Sequence, residues 1–494
     1  MKQPAISFLF VLAIAVQGSR SPEFVAELPA AGAFVNAAAD YDGDGDLDLF
    51  VGFGGPPNRL YRNDRGTFVE VGDQAGVADP RATRAAAWGD LDADGDPDLL
   101  VGFTPGDGGV LRLYRNDRGK FADVTASSGV AVADGAVRQP CWIDFDGDGD
   151  LDLFVAFRDK ANVLFRNDRG RFTNVAADVG LADTRRSVGA VWFDYDEDGD
   201  LDVYVAHMDG DANALYQNTA GRFADAALTA GLEWGGRAPR AATNGTVRPC
   251  AADVDNDGRL DLITANYGPI GLFLNRGKGR FEDVSAAWGL AIDARYDTCA
   301  LSDFDHDGRL DLYVNGTVTG GVSYRDYLFR NLARPAPGNP TSDGGFEDVT
   351  PALLRDLHAD HGALWADFDG DGDEDLSLTG VRTDPVPLVL RNNLPEAAAS
   401  RSLSVRVLDS RGRATRAGAE VRVFRTGTRQ LLGTRLVDSG SGYDAQSDMP
   451  VHFGLAEAVP VDVEVTFPAR GRRPSARMRN VDPRKQRALT IKID

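Results

Sequence analysis

Asp40-Tyr41-Asp42-Gly43-Asp44-Gly45-Asp46-Leu47-Asp48, running straight into Leu49-Phe50-Val51, is the stretch that decides the fold. Carboxylates at positions 1, 3, 5 and 9 offer hard oxygen ligands. Glycine at position 6 permits the sharp turn that wraps them round one ion, which is how a Ca2+ loop is built. The pattern recurs seven times. The first copy is Asp40, Asp42, Asp44, Asp46 and Asp48, and the second Asp90, Asp92, Asp94, Asp96 and Asp98. Then come Asp144, Asp146, Asp148, Asp150 and Asp152, followed by Asp194, Asp196, Asp198, Asp200 and Asp202. The fifth copy is Asp253, Asp255, Asp257, Arg259 and Asp261, and the sixth Asp303, Asp305, Asp307, Arg309 and Asp311. Asp367, Asp369, Asp371, Asp373 and Asp375 form the last. Every copy keeps its glycine: Gly45, Gly95, Gly149, Gly199, Gly258, Gly308 and Gly372.

Blander readings fit less well. An acidic solvated face has no fixed glycine and no apolar residue at a fixed offset. An EF-hand needs a glutamate at position 12, where this chain has Val51, Val101, Val155, Val205, Thr264, Val314 and Leu378. Calcium-binding β-helix repeats run back to back, whereas these copies start 50 to 64 residues apart. Up to seven bound Ca2+ ions are therefore expected.

The chain has 494 residues, 43% of them hydrophobic, which excludes general disorder. A net charge of −22 argues against nucleic acid and against anionic membrane surfaces. Much of that acid lies in the loops, where bound calcium would cancel it. Lys2, the short apolar run from Ile6 to Val16 and the small residues near Ala15 to Ser19 read as a signal peptide over residues 1–18. A buried first strand suits that run less well, because it ends in Gln-Gly-Ser-Arg-Ser-Pro. No later stretch approaches the ~20 apolar residues of a membrane helix. The expectation is a secreted or cell-surface protein (periplasmic in a Gram-negative host), without membrane insertion and monomeric. Cys141 and Cys250 stand three residues before their loops and Cys299 four before its own. Occupying similar places in different repeats, they are expected to be buried free thiols rather than a disulfide, which needs Cα atoms within roughly 7 Å.

Each repeat holds four short phrases. An apolar segment precedes the loop, often with tryptophan (Trp88, Trp142, Trp192, Trp365), and an alternating run such as Leu151-Asp-Leu-Phe-Val follows it. A third phrase reads Leu60-Tyr-Arg-Asn63, Leu113-Tyr-Arg-Asn116 or Leu164-Phe-Arg-Asn167, and a fourth carries a phenylalanine such as Phe68, Phe121 or Phe172. Four strands per ~50 residues make one blade of a β-propeller. The tryptophans then serve as core packing between blades rather than ligand platforms. The seventh repeat lacks its fourth phrase, while a spare one, Phe24-Val-Ala-Glu-Leu28, stands before the first loop. The N-terminal strand should therefore close the last blade, leaving no open edge.

Residues 234–247 and 333–345 read as insertions, either binding loops or indifferent surface. After residue 395 the acidic loops stop, arginine becomes plentiful and alternating strands continue, as in Leu403-Ser-Val-Arg-Val407 and Val461-Asp-Val-Glu-Val465. The expected class is all-β: a seven-bladed β-propeller over 22–395, a linker at 396–400, and a small β-sandwich-like domain over 401–494. Its basic charge suggests docking on the acidic propeller, though a solvated basic face explains it equally well.

With these motifs in hand, the chain resembles FG-GAP/VCBS repeat proteins, whose repeats include the integrin alpha-subunit propeller. Gly418-Ala-Glu-Val-Arg-Val, Gly440-Ser-Gly-Tyr443-Asp-Ala-Gln446-Ser and His452-Phe-Gly454-Leu are similar to the ASPIC/UnbV domain. The combination resembles bacterial relatives of the cartilage acidic protein family. It implies a secreted calcium-binding propeller with adhesive or matrix-associated roles. Arg259 and Arg309 depart from the usual acid at position 7, a place that ligates through its backbone carbonyl and so tolerates the change.

An enzyme is the rival class. There is no nucleophile elbow, zinc pattern or phosphate-binding glycine loop. His358 and His361 lie close, but His-Ala-Asp-His before a strand is more often a turn than a ligand pair. A calcium-stabilised polysaccharide lyase or hydrolase is the alternative; a non-enzymatic adhesion, matrix or scaffold module for an extracellular protein or glycan is the expectation. The sequons at Asn244 and Asn315 carry little weight without the host.

Overall fold

Each acidic loop joins two antiparallel strands. In the first blade Ala33–Ala39 runs into the loop and Asp48–Phe53 runs out, pairing Ala39 with Asp48 and Ala33 with Phe53. Arg59–Asp64 and Thr67–Glu70 follow outward in chain order. The computed structural model describes residues 22–494 apart from 107, 235–240, 242, 320, 334–343, 358, 383 and 441. The expected signal peptide, residues 235–240 and 242 of the first insertion, 334–343 of the second and His358 lie outside the described residues.

The same four-strand order begins again at Thr83–Gly89, Val137–Ile143, Ser187–Phe193, Gly245–Ala252 and Asp293–Ser302, each the innermost strand of its blade. The fifth and sixth blades also fuse through pairing of Tyr267 with Arg295. The seventh blade has only three strands of its own: Ala363–Ala366, Asp375–Leu378 and Val386–Asn392. Its fourth is the N-terminal Phe24–Ala30, antiparallel to Val386–Asn392 with Phe24 opposite Asn392. The propeller closes as its sequence predicts.

Blades stack through the tryptophans. Trp88 packs on Phe50 of the preceding blade and on Phe121 of its own outer strand, and Trp192 does the same with Phe154 and Phe223. Trp365 contacts the closing strand at Phe24, with ring centroids 6.2 Å apart. All four pre-loop tryptophans are buried. Such aromatic pairs add roughly 0.5–1.5 kcal/mol beyond their area.

The cysteine expectation fails in one respect. Cys250 and Cys299 form a disulfide between the innermost strands of the fifth and sixth blades, with Cα atoms 6.4 Å apart. Innermost strands converge on the axis, so neighbours come close. Successive strand residues face opposite sides: Cys250, three before its loop, faces the next blade, and Cys299, four before its own, faces back. Cys141 remains a buried free thiol.

Helix Glu396–Ala399 leads into the C-terminal domain. That domain is a sandwich of two sheets. Ser402–Asp409 lies between Val451–Gly454 and Ala488–Ile493 in one, while the other runs Leu431–Leu436, Glu420–Arg425, Val461–Thr466 and Ser475–Val481. It is not separate from the propeller. Between Leu436 and Val451 the chain leaves the sandwich and enters the propeller axis, where Ala445–Gln446 pairs in parallel with Ala86 and Ala87 of the second blade.

Candidate metal centres and the plugged channel

In every loop position 6 has a left-handed backbone, from φ +89° at Gly308 to +108° at Gly372, which glycine adopts without strain. In six loops its N–H donates to the position-1 carboxylate, as Gly149 does to Asp144 at 3.0 Å and Gly258 to Asp253 at 2.9 Å. Position 4 is left-handed too, whether Gly43, Ala93, Gly147, Glu197, Asn256, His306 or Gly370 occupies it.

The turn gathers the expected ligands. Asp40, Asp42 and Asp48 place oxygens within 4.8 Å of one another, as do Asp144, Asp146 and Asp152, Asp194, Asp196 and Asp202, and Asp253, Asp255 and Asp261. In the second loop the trio is Asp90, Asp92 and Asp94. Position 9 is buried throughout, from Asp48 to Asp375. In six loops it accepts the N–H of position 2 on one oxygen and that of the third-strand asparagine on the other, as with Tyr41 and Asn63 on Asp48, whereas Asp311 in the sixth accepts only from Asn331. Position 5 accepts the N–H of position 7 in every loop, as Asp148 does from Asp150.

Position 7 reaches the outer hairpin, and where it is arginine its guanidinium also donates to the position-5 carboxylate, Arg259 to Asp257 and Arg309 to Asp307. Asp46 and Asp96 accept the N–H of Arg65 and Arg118 in the outer hairpin, whereas Arg259 and Arg309 donate to the carbonyls of Asn275 and Asn331 at 2.8 and 2.7 Å. Acid and arginine thus hold the same hairpin from opposite ends of a hydrogen bond. This explains why position 7 tolerates both.

Electrostatically the clusters are incomplete. Asp144 Oδ1, Asp194 Oδ1 and Asp311 Oδ2 are buried oxygens that accept no hydrogen bond. Burial pushes the Asp48 and Asp98 carboxyls up to about 8 and those of Asp144, Asp253 and Asp303 up to about 7, with neighbouring loop aspartates adding to the effect. A converging all-oxygen donor set with unused lone pairs fits a hard divalent cation.

The third-strand asparagine ties these loops into a ring, a role its sequence phrase did not reveal. Asn63 donates to Leu47 O in its own loop and to Phe368 O in the seventh. Asn116, Asn167, Asn218, Asn275 and Asn331 reach Tyr41, Leu91, Phe145, Tyr195 and Val254 in the same way. Asn392 completes the circuit to Phe304.

The C-terminal domain sits on this loop-bearing face. Arg416 lies 3.3 Å from Asp144 Oδ2 and Arg473 3.1 Å from Asp194 Oδ2, both at position 1. Arg413 pairs with Asp150, Arg422 donates to Gly258 O, and Arg487 donates to Asp371 O. Part of the basic charge of this domain thus meets the acidic loops, while Arg425, Arg477 and Arg484 pair with acids of the domain itself.

Gly440 and residues 442–447 plug the channel. Gln446 accepts the N–H of Trp142 and donates to its carbonyl, and Ser447 accepts the N–H of Ala38. Gly440 passes so close to the wall that a Cβ would meet Ala190 O and Cys141 Sγ at 2.6 Å. Deeper in, Asp444 is fully buried against Arg248 at 2.9 Å and Arg84 at 3.4 Å. Tyr443 Oη accepts from Arg84 at 2.6 Å. A cavity of about 140 Å³ remains between plug and wall, lined by Cys250, Glu374, Arg435 and His452 among others. His361 meets Tyr443 edge-on at 4.8 Å, and is thus part of the channel wall.

Comparison with known proteins agrees with this architecture. FG-GAP-like repeat matches residues 40–101, 90–155, 144–205, 194–264 and 253–314, and ASPIC and UnbV matches 410–492. Cartilage acidic protein 1 of Homo sapiens is 27% identical over 476 residues, covering 87% of this chain and 68% of that protein. Its Xenopus tropicalis counterpart is 28% identical over 491 residues, with 87% and 70% covered. Among solved structures, an Agrocybe aegerita lectin described as recognising non-reducing terminal N-acetylglucosamine matches with TM-score 0.39 and 18% identity, over 71% of this chain and 86% of its own. An exotype rhamnogalacturonan lyase matches with TM-score 0.40 and 15% identity, over 76% and 75%. Both structural likenesses are too weak to argue from. The repeat matches together span more than half of the chain, and with the plugged sandwich behind them the chain belongs to the FG-GAP repeat proteins that carry a C-terminal ASPIC/UnbV domain.

Proposed function

We propose that this chain is a secreted, calcium-stapled binding module, an adhesion or scaffold protein for an extracellular protein or glycan rather than an enzyme. The observation that carries the calcium part is the set of converging carboxylate clusters with buried, unpartnered oxygens. Seven such loops on one face, tied by the asparagine ring, make a scaffold whose rigidity depends on the ions. The Cys250–Cys299 disulfide supports export, since such bonds persist in oxidising compartments. Binding rather than catalysis is supported by the commitment of the loop acids: they face metal positions, the hairpins or the C-terminal domain. The test is a glycan and matrix-protein array probed with the calcium-loaded and the chelated protein. Calcium-dependent capture of one ligand class is expected. Turnover of a polysaccharide, abolished by one acidic substitution outside the loops, would favour the lyase or hydrolase reading instead.

A further inference from the structure

The seven loops share one chemistry but not one environment. Position 3 is exposed in the first and second loops, at Asp42 and Asp92, and half-buried in the other five. The position-6 glycines divide in the same way. A Cβ on Gly45 or Gly95 would meet nothing within 4 Å. On each of the other five it would meet the C-terminal domain, from Arg472 N at 2.4 Å beside Gly199 to Ala456 Cβ at 3.8 Å beside Gly308. Next to the first loop a cleft of about 370 Å³, lined by Asp46, Ser404 and Arg487, lies between loop and sandwich.

The cover is most specific over the third and fourth loops, where the turn at 469–472 reaches both. Arg470 Nε donates to Asp146 O at 2.8 Å, and Gly471 N–H donates to Asp200 Oδ1 at 2.7 Å and to Gly199 O at 3.1 Å. The first four loops carry the same five aspartates, so ligand charge does not distinguish them. Rigidity does, and it is the other property that tunes such sites. An ion leaves when its carboxylates swing away and water replaces them, a local opening that an exposed loop makes readily. Under the sandwich the same opening requires undocking. Arg416 and Arg473, set against Asp144 and Asp194, also repel an approaching cation, so entry is slowed as well as exit. The cover therefore acts on the rate of exchange, whichever way it moves the affinity.

We propose that the C-terminal domain sorts the calcium sites into two classes: five covered ions that staple the ring, and two in the first and second loops that exchange with the surroundings. This rests on the calcium part of the reading above and adds its regulation, making the open pair the calcium-responsive side of the face. Equilibrium dialysis first counts the ions on the full chain. The loaded protein is then mixed by stopped flow with an excess of a fluorescent calcium chelator, whose amplitudes count the ions in each phase. Two ions should leave at least about tenfold faster than the other five, a ratio that about 1.4 kcal/mol of extra opening cost supplies. Asp44→Ala combined with Asp94→Ala should abolish the fast phase and keep the slow one. Gly471 is exposed and has φ +68°, which proline cannot adopt. Gly471→Pro combined with Arg470→Ala thus strips the turn of its bonds to both loops, and should move the ions of the third and fourth loops into the fast phase. A fast phase that survives Asp44→Ala with Asp94→Ala, or a slow phase still of five ions in the turn variant, would overturn the proposal. No calcium bound in dialysis would refute the staple itself, whereas seven ions leaving the wild type at one rate would refute this division alone.

Discussion

Asn63 donates its side-chain amide to the carbonyl of Phe368 at 2.6 Å, across the seam where the first blade meets the seventh. The same side chain donates to Leu47 O and accepts from Gly66 N–H, and it is fully buried. Asn63→Ala should therefore strand two carbonyls and one N–H. At about 1 kcal/mol per hydrogen bond, and more for each buried group left unpaired, the loss should be about 2–4 kcal/mol in urea unfolding. Asn63→Asp, which turns the donor into an acceptor facing two carbonyls, should cost at least as much. A loss within 0.5 kcal/mol for either variant would mean the asparagine ring does not hold the seam.

Calcium removal should lower the melting temperature and reverse the pH dependence. With site affinities of ~10⁻⁴ M, ~1 mM calcium adds about 1.4 kcal/mol per site. In the metal-free protein burial holds the Asp48 and Asp98 carboxyls near 8, against about 3.9 in an unfolded chain. Between those values the native state binds more protons than the unfolded one, so stability is present at the acid end and falls as pH rises through 8. The chelated protein should thus melt higher at pH 5.5 than at pH 8, and the calcium-loaded protein should not. Identical melting curves with and without verified metal removal would refute the staple.

Asp148→Ala and Asp150→Ala separate a ligand from its neighbour. Asp148 occupies position 5 of the third loop, and its loss should remove about one ion from the native mass spectrum. Asp150 at position 7 pairs instead with Arg413 of the C-terminal domain, so its alanine variant should keep the ion and loosen the docked domain. Faster proteolysis of the sandwich in Asp150→Ala, with calcium retained, is the expected pattern. Equal ion loss from both would refute the assignment.

The legible part of this chain was whatever repeats locally. The glycine at position 6, the alternation after each loop and the spare Phe24 phrase encode turn, strand and closure within a few residues. What lay hidden was long-range. That Cys250 meets Cys299 depends on how close neighbouring innermost strands run, and on a one-residue offset that reverses a side chain. Asn63 reads as a strand boundary until the seventh loop lies beside it. The Gly440-to-Ser447 motif has no periodicity to place it, because its partners Ala86, Trp142 and Arg248 sit in three different blades.

The plug changes what truncation should do. A separate C-terminal domain could be removed from residue 401 onward to leave a soluble propeller, but here removal strips Arg248 of Asp444 in a fully buried position. Breaking a buried pair by deleting one partner costs about 3–5 kcal/mol. It also uncovers the apolar sides of the innermost strands and bares the acidic loops that Arg416 and Arg473 contact. The truncated propeller should aggregate or melt well below the full chain. Asp444→Ala isolates the charge effect within an intact plug, and should lose most of that 3–5 kcal/mol. Asp444→Ala combined with Arg248→Met removes the stranded charge and should recover a large part of it. If the truncated propeller stays monomeric and melts with the full chain, the plug is an ornament of the domain and the buried pair contributes nothing to the ring.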